Sequence, residues 1–314
     1  MDAVSAVLST TPRSHWIDVP GGHRLHVAEL GAPHGLPVLL LHGGPGSGAS
    51  PVLWQGFDLA RWRLIVPDQR GAGRSTPRGG VAHNSTADLL ADLRRLRQAF
   101  GVGRWLVVGG SWGAALALAH ALDQPAAVSG LLLRSAFLAR AEDVARFFAP
   151  PGGGLQPAWE RLRDTVGHDT LLPALHQSLH GGDTGAAARA ARAWWAWECA
   201  QAGAAAGAER LDGAALQRQV DRLRVQSHYL VNACWLDAPS LPERCAALGA
   251  LAALLLHGRQ DRICPPEGAA LLHARLPGSR LRWVDDAGHD PTHPALAAAT
   301  AQALREWAAE GRWS

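Results

Sequence analysis

Trp105-Leu106-Val107-Val108-Gly109-Gly110-Ser111-Trp112-Gly113, continuing through an Ala- and Leu-rich run to Leu122, decides how this 314-residue chain folds. Trp105–Val108 is a continuous apolar run and reads as a strand buried on both faces. Trp112–Leu122 reads as a helix that stops before Pro125. Only a few residues remain to reverse the chain between them. So sharp a turn admits no bulky side chain two residues before or after the serine, and Gly109 and Gly113 stand at those places. The turn lifts the Ser111 hydroxyl above the end of the strand and aims the helix N-terminus at an oxyanion formed there. A glycine-rich turn that only binds phosphate or packs closely would look the same, so the reading depends on what lies elsewhere.

Outward from this point, strand and helix patterns alternate. Pro37–Leu41, Leu64–Val66, Gly130–Leu133, Ala252–Leu256 and Leu281–Val284 read as strands. Thr86–Phe100, Glu267–Leu276 and Ala295–Ala309 read as helices, the first with Leu89, Leu93, Leu96 and Phe100 on one stripe. His15–Val19 and Arg24–Glu29 flank Pro20-Gly21-Gly22 and read as a hairpin. The expected class is α/β: a mostly parallel central sheet with helices on both faces. Residues 138–245 are rich in Ala, Arg and Trp with helical periodicity and no convincing strand. The expected organisation is therefore a core in two parts, 1–137 and 246–314, with 138–245 an inserted helical cap. Pro150-Pro151-Gly152-Gly153-Gly154 reads as a lid loop within it.

A serine hydroxyl is a weak nucleophile at neutral pH and needs a base within hydrogen-bond reach. On this kind of sheet the partners follow in the order Ser, Asp, His, each on a loop after a late strand. Asp261 follows the strand Ala252–Leu256 and His289 follows Leu281–Val284. Ser111, Asp261 and His289 are thus the expected triad. His293 remains a competitor for the base, and Asp285 or Asp286 for the acid. His42-Gly43-Gly44-Pro45-Gly46 follows the strand Pro37–Leu41, so the Gly44 and Trp112 N–H groups are the expected oxyanion donors.

Composition excludes other classes. Hydrophobic residues make up 47% and charged residues 18%, as in a globular chain. The longest apolar run, Ala246–Leu256, falls short of the about 18 residues that cross a bilayer. Met1–His15 shows no leader pattern, and residence in the cytoplasm is expected by default. The net charge is +3 and all 30 basic residues are Arg, but they are scattered, which argues against a nucleic-acid partner. Cys199, Cys234, Cys245 and Cys264 show no paired spacing, and the 15 histidines form no metal motif. No metal or organic cofactor is expected.

Several stretches together carry a narrower resemblance. His42–Gly46, Asp68-Gln69-Arg70-Gly71-Ala72-Gly73-Arg74-Ser75, His83-Asn84-Ser85-Thr86, Gly109–Gly113 and His257-Gly258-Arg259 with Asp261 resemble the proline iminopeptidases of the α/β-hydrolase superfamily, from about Pro37 to His289. The resemblance implies an α/β-hydrolase core beneath a helical cap and removal of an N-terminal proline from peptides. It implies a small peptide or amino-acid amide or ester as substrate; no membrane partner is expected, since no apolar run is long enough to span a bilayer. In that family a W-x-x-W-E motif supplies a glutamate for the substrate amine. Here it reads Trp194-Trp195-Ala196-Trp197-Glu198, which gives the role to Glu198. A second family glutamate precedes His-Tyr-Phe, where this chain has Gln226-Ser227-His228-Tyr229-Leu230. Gln226 supplies no charge, and Leu230 replaces an aromatic wall of the proline pocket. Phe137, Phe147 and Cys264 fall where the family has other walls, although Phe148 competes with Phe147. The departures leave two alternatives beside an aminopeptidase: an esterase or amidase of altered specificity, and a non-catalytic ligand-binding relative.

Overall fold

The computed structural model describes residues 11–167, 170–203 and 211–313. Eight strands form one sheet: β1 (Arg13–Val19), β2 (His23–Gly31), β3 (Leu36–Leu41), β4 (Trp62–Pro67), β5 (Trp105–Gly110), β6 (Val128–Arg134), β7 (Ala253–Gly258) and β8 (Ser279–Val284), in the order β1-β2-β4-β3-β5-β6-β7-β8. β1 and β2 pair antiparallel, as the hairpin pattern predicts, and β2 also runs antiparallel to β4. From β4 to β8 every pairing is parallel.

The central strands are continuous apolar runs because both of their faces are covered. In β3 and β5, Leu39, Leu41, Trp105 and Val107 join one buried cluster, while Val38, Leu40, Leu106 and Val108 join another on the opposite face. The first face is covered by α1 (Thr86–Ala99), α2 (Trp112–Asp123) and α9 (Pro266–Arg275), and the second by α10 (Pro294–Glu310). Ser85 caps α1, exchanging hydrogen bonds with Asp88 in a capping box. α2 is buried almost all round, which its Ala and Leu composition permits.

Between β6 and β7 stands a run of helices: α3 (Ala141–Phe148), α4 (Gln156–Val166), α5 (Leu171–His180), α6 (Thr184–Ala202), α7 (Gly213–Val231) and the short α8 (Leu241–Arg244). A third cluster, including Phe148, Trp159, Leu162, Leu175, Trp194, Trp197 and Leu223, lies among them, and Leu230 packs against both this cluster and the first. None of the described helices is long and apolar enough to cross a membrane.

Two stretches singled out in the sequence hold these layers together. After β4, Asp68 accepts from the Ala49 and Arg74 amides and from His26 Nδ1, while Arg70 forms a two-pronged ion pair with buried Asp92 at 2.6 and 2.7 Å. At the start of α1, Asn84 accepts from the Tyr229 hydroxyl at 2.9 Å, its carbonyl faces His228 Nε2 at 3.1 Å, and Thr86 donates to the Cys234 carbonyl at 2.6 Å. The insert is thereby tied to the sheet layer by polar groups buried at the seam.

Candidate active site

The loops that leave the carboxyl ends of β3, β5, β6, β7 and β8 meet above the sheet, where the strand order changes direction around β3. Parallel sheets place their ligand crevice at such a point. A cavity of about 760 Å³ opens there, lined by Gly43, Gly44, Ser111, Cys264 and His289 from below and by Phe147, Trp195, Glu198, Arg222 and Gln226 from the insert.

Ser111 sits at φ 56°, ψ −124°, between β5 and α2. Its N–H donates to the Arg134 carbonyl at 3.0 Å, and its carbonyl accepts from Ala114 at 2.9 Å, so the turn is fixed on both sides. Gly113 is required by close approach: a Cβ there would lie 2.3 Å from the Leu41 carbonyl oxygen. Neither the Gly44 nor the Trp112 N–H has a hydrogen-bond partner among the described residues. The Trp112 side chain points into the core, its indole donating to Gln69 Oε1 at 2.8 Å.

His289 Nδ1 donates to Asp261 Oδ2 at 2.9 Å, and the other Asp261 oxygen accepts from the Ile263 and Cys264 amides. Burial alone would depress the imidazole, but the Asp261 carboxylate outweighs it and holds His289 well above its usual 6.5. Burial works the opposite way on Asp261, yet His289 and the Cys264 amide bring its carboxyl below the ordinary range. Of the competitors, Asp285 lies on the surface paired with Arg259 at 2.6 Å, and Asp286 is exposed. His293 lines the same cavity as His289 but stands at the N-cap of α10. No hydrogen bond joins Ser111 to His289 among the described residues. The Cys264 thiol lies beside both groups, and burial pushes it above its ordinary range, so it is uncharged at neutral pH.

The other sequence-derived pocket residues also reach the cavity. Phe137, Phe147, Leu230 and Cys264 line it, and so does Phe148, packed edge-on against Phe147 at 4.9 Å between ring centres. Glu198 and Gln226 are brought together, with Gln226 Nε2 donating to Glu198 Oε1 at 2.9 Å. A residue the sequence reading passed over completes this group: Arg222 pairs with Glu198 Oε2 and donates to Gln226 Oε1 at 3.1 Å. Its position four residues before Gln226 on a predicted helix was the available signal. A second group, named in the sequence only as part of the stretch after β4 and given no role there, is Gln69, whose N–H donates to buried His42 Nε2 at 3.0 Å and whose Nε2 donates to the His42 carbonyl at 3.0 Å. With the Trp112 bond it ties the glycine loop after β3 to the turn that carries Ser111. Burial holds His42 below its usual value, uncharged and able to accept that bond.

Residues 37–293 match the α/β hydrolase fold family. A proline iminopeptidase of Xylella fastidiosa is 36% identical over 297 residues, covering 90% of this chain and 93% of its own length. A probable proline iminopeptidase of Leptolyngbya boryana is 33% identical over 304 residues, 95% of each chain. Among solved structures, an esterase from Rhodococcus superposes with a TM-score of 0.62 at 20% identity, covering 95% of this chain and 98% of that one, a likeness of fold alone.

Proposed function

The chain belongs to the α/β-hydrolase family and, within it, to the proline iminopeptidases, and from that membership we propose that it is a serine aminopeptidase releasing proline, or a similar small residue, from peptide N-termini. The observation that carries this reading is that the strained Ser111 turn and the Asp261-held His289 open onto one cavity beside the glycine loop. In this reading substrate lies beneath the insert, which acts as a cap, and Ser111 attacks the carbonyl of the first residue. His289 takes the hydroxyl proton, forming the contact with Ser111 as substrate seats. Catalytic hydrogen bonds are often long before that stage. Asp261 fixes the imidazole tautomer and steadies the imidazolium, and the Gly44 and Trp112 amides hold the oxyanion. His289 then protonates the leaving amine, and water releases the acyl group.

The test is hydrolysis of L-prolyl p-nitroanilide by the enzyme and by Ser111→Ala. The variant should keep the fold and lose activity by several orders of magnitude. Near-normal turnover by the variant rejects the assignment.

One observation favours a second reading, an esterase or amidase for uncharged acyl groups: both oxygens of Glu198 are already engaged within the protein. Comparing free prolyl with N-acetyl-prolyl anilide separates the two, because only an aminopeptidase requires the free amine.

A further inference from the structure

The insert presents a closed charge arrangement to the cavity. α6 contributes Glu198, and one face of α7 contributes Gln219, Arg222 and Gln226. The Arg222 guanidinium pairs with Glu198 Oε2, donates to Gln226 Oε1 at 3.1 Å and to Gln219 Oε1 at 2.8 Å, and stands 5.5 Å from the centre of the Trp195 ring. Gln226 Nε2 satisfies the remaining Glu198 oxygen at 2.9 Å. The side chains of Glu198 and Arg222 are each only 14% exposed, and both line the cavity that holds Ser111.

A carboxylate whose two oxygens are engaged, one of them by a fork-shaped cation on three acceptors, has little left for an incoming ammonium. The ammonium must exchange for Arg222 or sit beside it as a second positive charge. Gln226 restores no negative charge. Arg134, at the end of β6, adds a further buried cation to the cavity wall, and no hydrogen bond or ion pair to its side chain is present among the described residues.

We propose that Arg222 is a specificity-determining residue: it is the standing counter-ion of Glu198, held where a substrate ammonium would bind, so the cavity barely distinguishes a proline-like acyl group with a free amine from its uncharged isostere. This rests on the reading of the chain as a hydrolase of proline-like acyl groups. The preferred substrate class is then a small cyclic or branched acyl group whose amine is not the main handle.

Affinity for L-prolinamide and for cyclopentanecarboxamide, which lacks the amine, is measured calorimetrically on Ser111→Ala, where no turnover interferes. With Arg222 present, the two should bind within about threefold of each other. Adding Arg222→Gln should tighten prolinamide about tenfold, the scale of a partly exposed charge pair, while the isostere stays within about twofold. Unchanged isostere binding also reports an intact cavity. If Arg222→Gln loses the isostere as well, Arg222→Met, which keeps the aliphatic stem against Trp195, is measured in its place with the same expectation. Two results overturn the proposal: prolinamide already about tenfold tighter than the isostere, or prolinamide unchanged or weakened once Arg222 is removed. Turnover of L-prolyl p-nitroanilide by the unaltered enzyme judges the aminopeptidase reading separately. No turnover together with tightening sinks that reading and leaves the counter-ion, and turnover without tightening does the reverse.

Discussion

Ser111 occupies a backbone region, φ 56° and ψ −124°, that side chains rarely adopt. Such residues cost about 1–3 kcal/mol and persist where the surroundings hold them. Ser111→Gly should therefore abolish hydrolysis yet raise stability by about 1 kcal/mol after allowing for the flexibility of unfolded glycine, read as a higher denaturation midpoint. No gain would mean that the turn carries no strain. On the proposed mechanism the His289–Asp261 pair sets the pH response. Because the folded imidazole lies well above 6.5, and the base must be neutral to act, kcat/KM should rise with pH through an apparent value above 6.5. Asp261→Asn should shift that limb downward and lower kcat by about 10⁴-fold. A profile that keeps its midpoint would detach Asp261 from His289. The loops that carry Ser111, Asp261 and His289 could be located from sequence because each follows a run read as a strand, the last of them read only from Leu281 onward. The Cys264 thiol beside Ser111 and His289 is a fact of packing, and so is the grip of Arg222 on Glu198. Nothing in their spacing along the chain encodes either contact.

Strand and helix patterns were legible where burial leaves a clean signature. β3, β5, β6 and β7 are apolar runs covered on both sides, and α1 shows its stripe and its Ser85 cap. The edges were less legible. β8 is half-buried along most of its length, and β5 runs on through Gly109 and Gly110, where hydrophobicity gives no cue. Among these elements the junction of β3, β5 and α2 is the tightest. Since a Cβ at Gly113 would stand 2.3 Å from the Leu41 carbonyl oxygen, Gly113→Ala must push α2 off β3. The expected loss is about 3 kcal/mol, the upper end for overpacking a core, with kcat falling because the Ser111 turn moves with the helix. A denaturation midpoint equal to that of the parent would contradict the contact.

Across the whole molecule, the seam between insert and sheet was not legible as a set of contacts, although its residues stood out as motifs. Asn84 lies just before α1 and Thr86 begins it, while Tyr229 stands near the end of α7 and Cys234 just beyond it, some 145 residues on. Tyr229→Phe removes the donor to Asn84 Oδ1 and leaves a buried acceptor unsatisfied, at a cost of about 1–3 kcal/mol in urea unfolding. Because Gln226 and Leu230 flank Tyr229 on the same helix, KM for a prolyl substrate should rise more than kcat falls. Equal changes in both would place the effect at Ser111 rather than at the seam.

The third hydrophobic cluster, confined to helices between β6 and β7, has a wider consequence. On the proposed reading, Glu198, Arg222 and Gln226 stand on helices rooted largely in this nucleus, whereas Ser111 and His289 follow strands rooted in the other two. Substitutions that touch only this nucleus can then accumulate in the roof without loosening the foundations. A fold built this way can vary the acyl group it admits while the turn that carries Ser111 stays as it is.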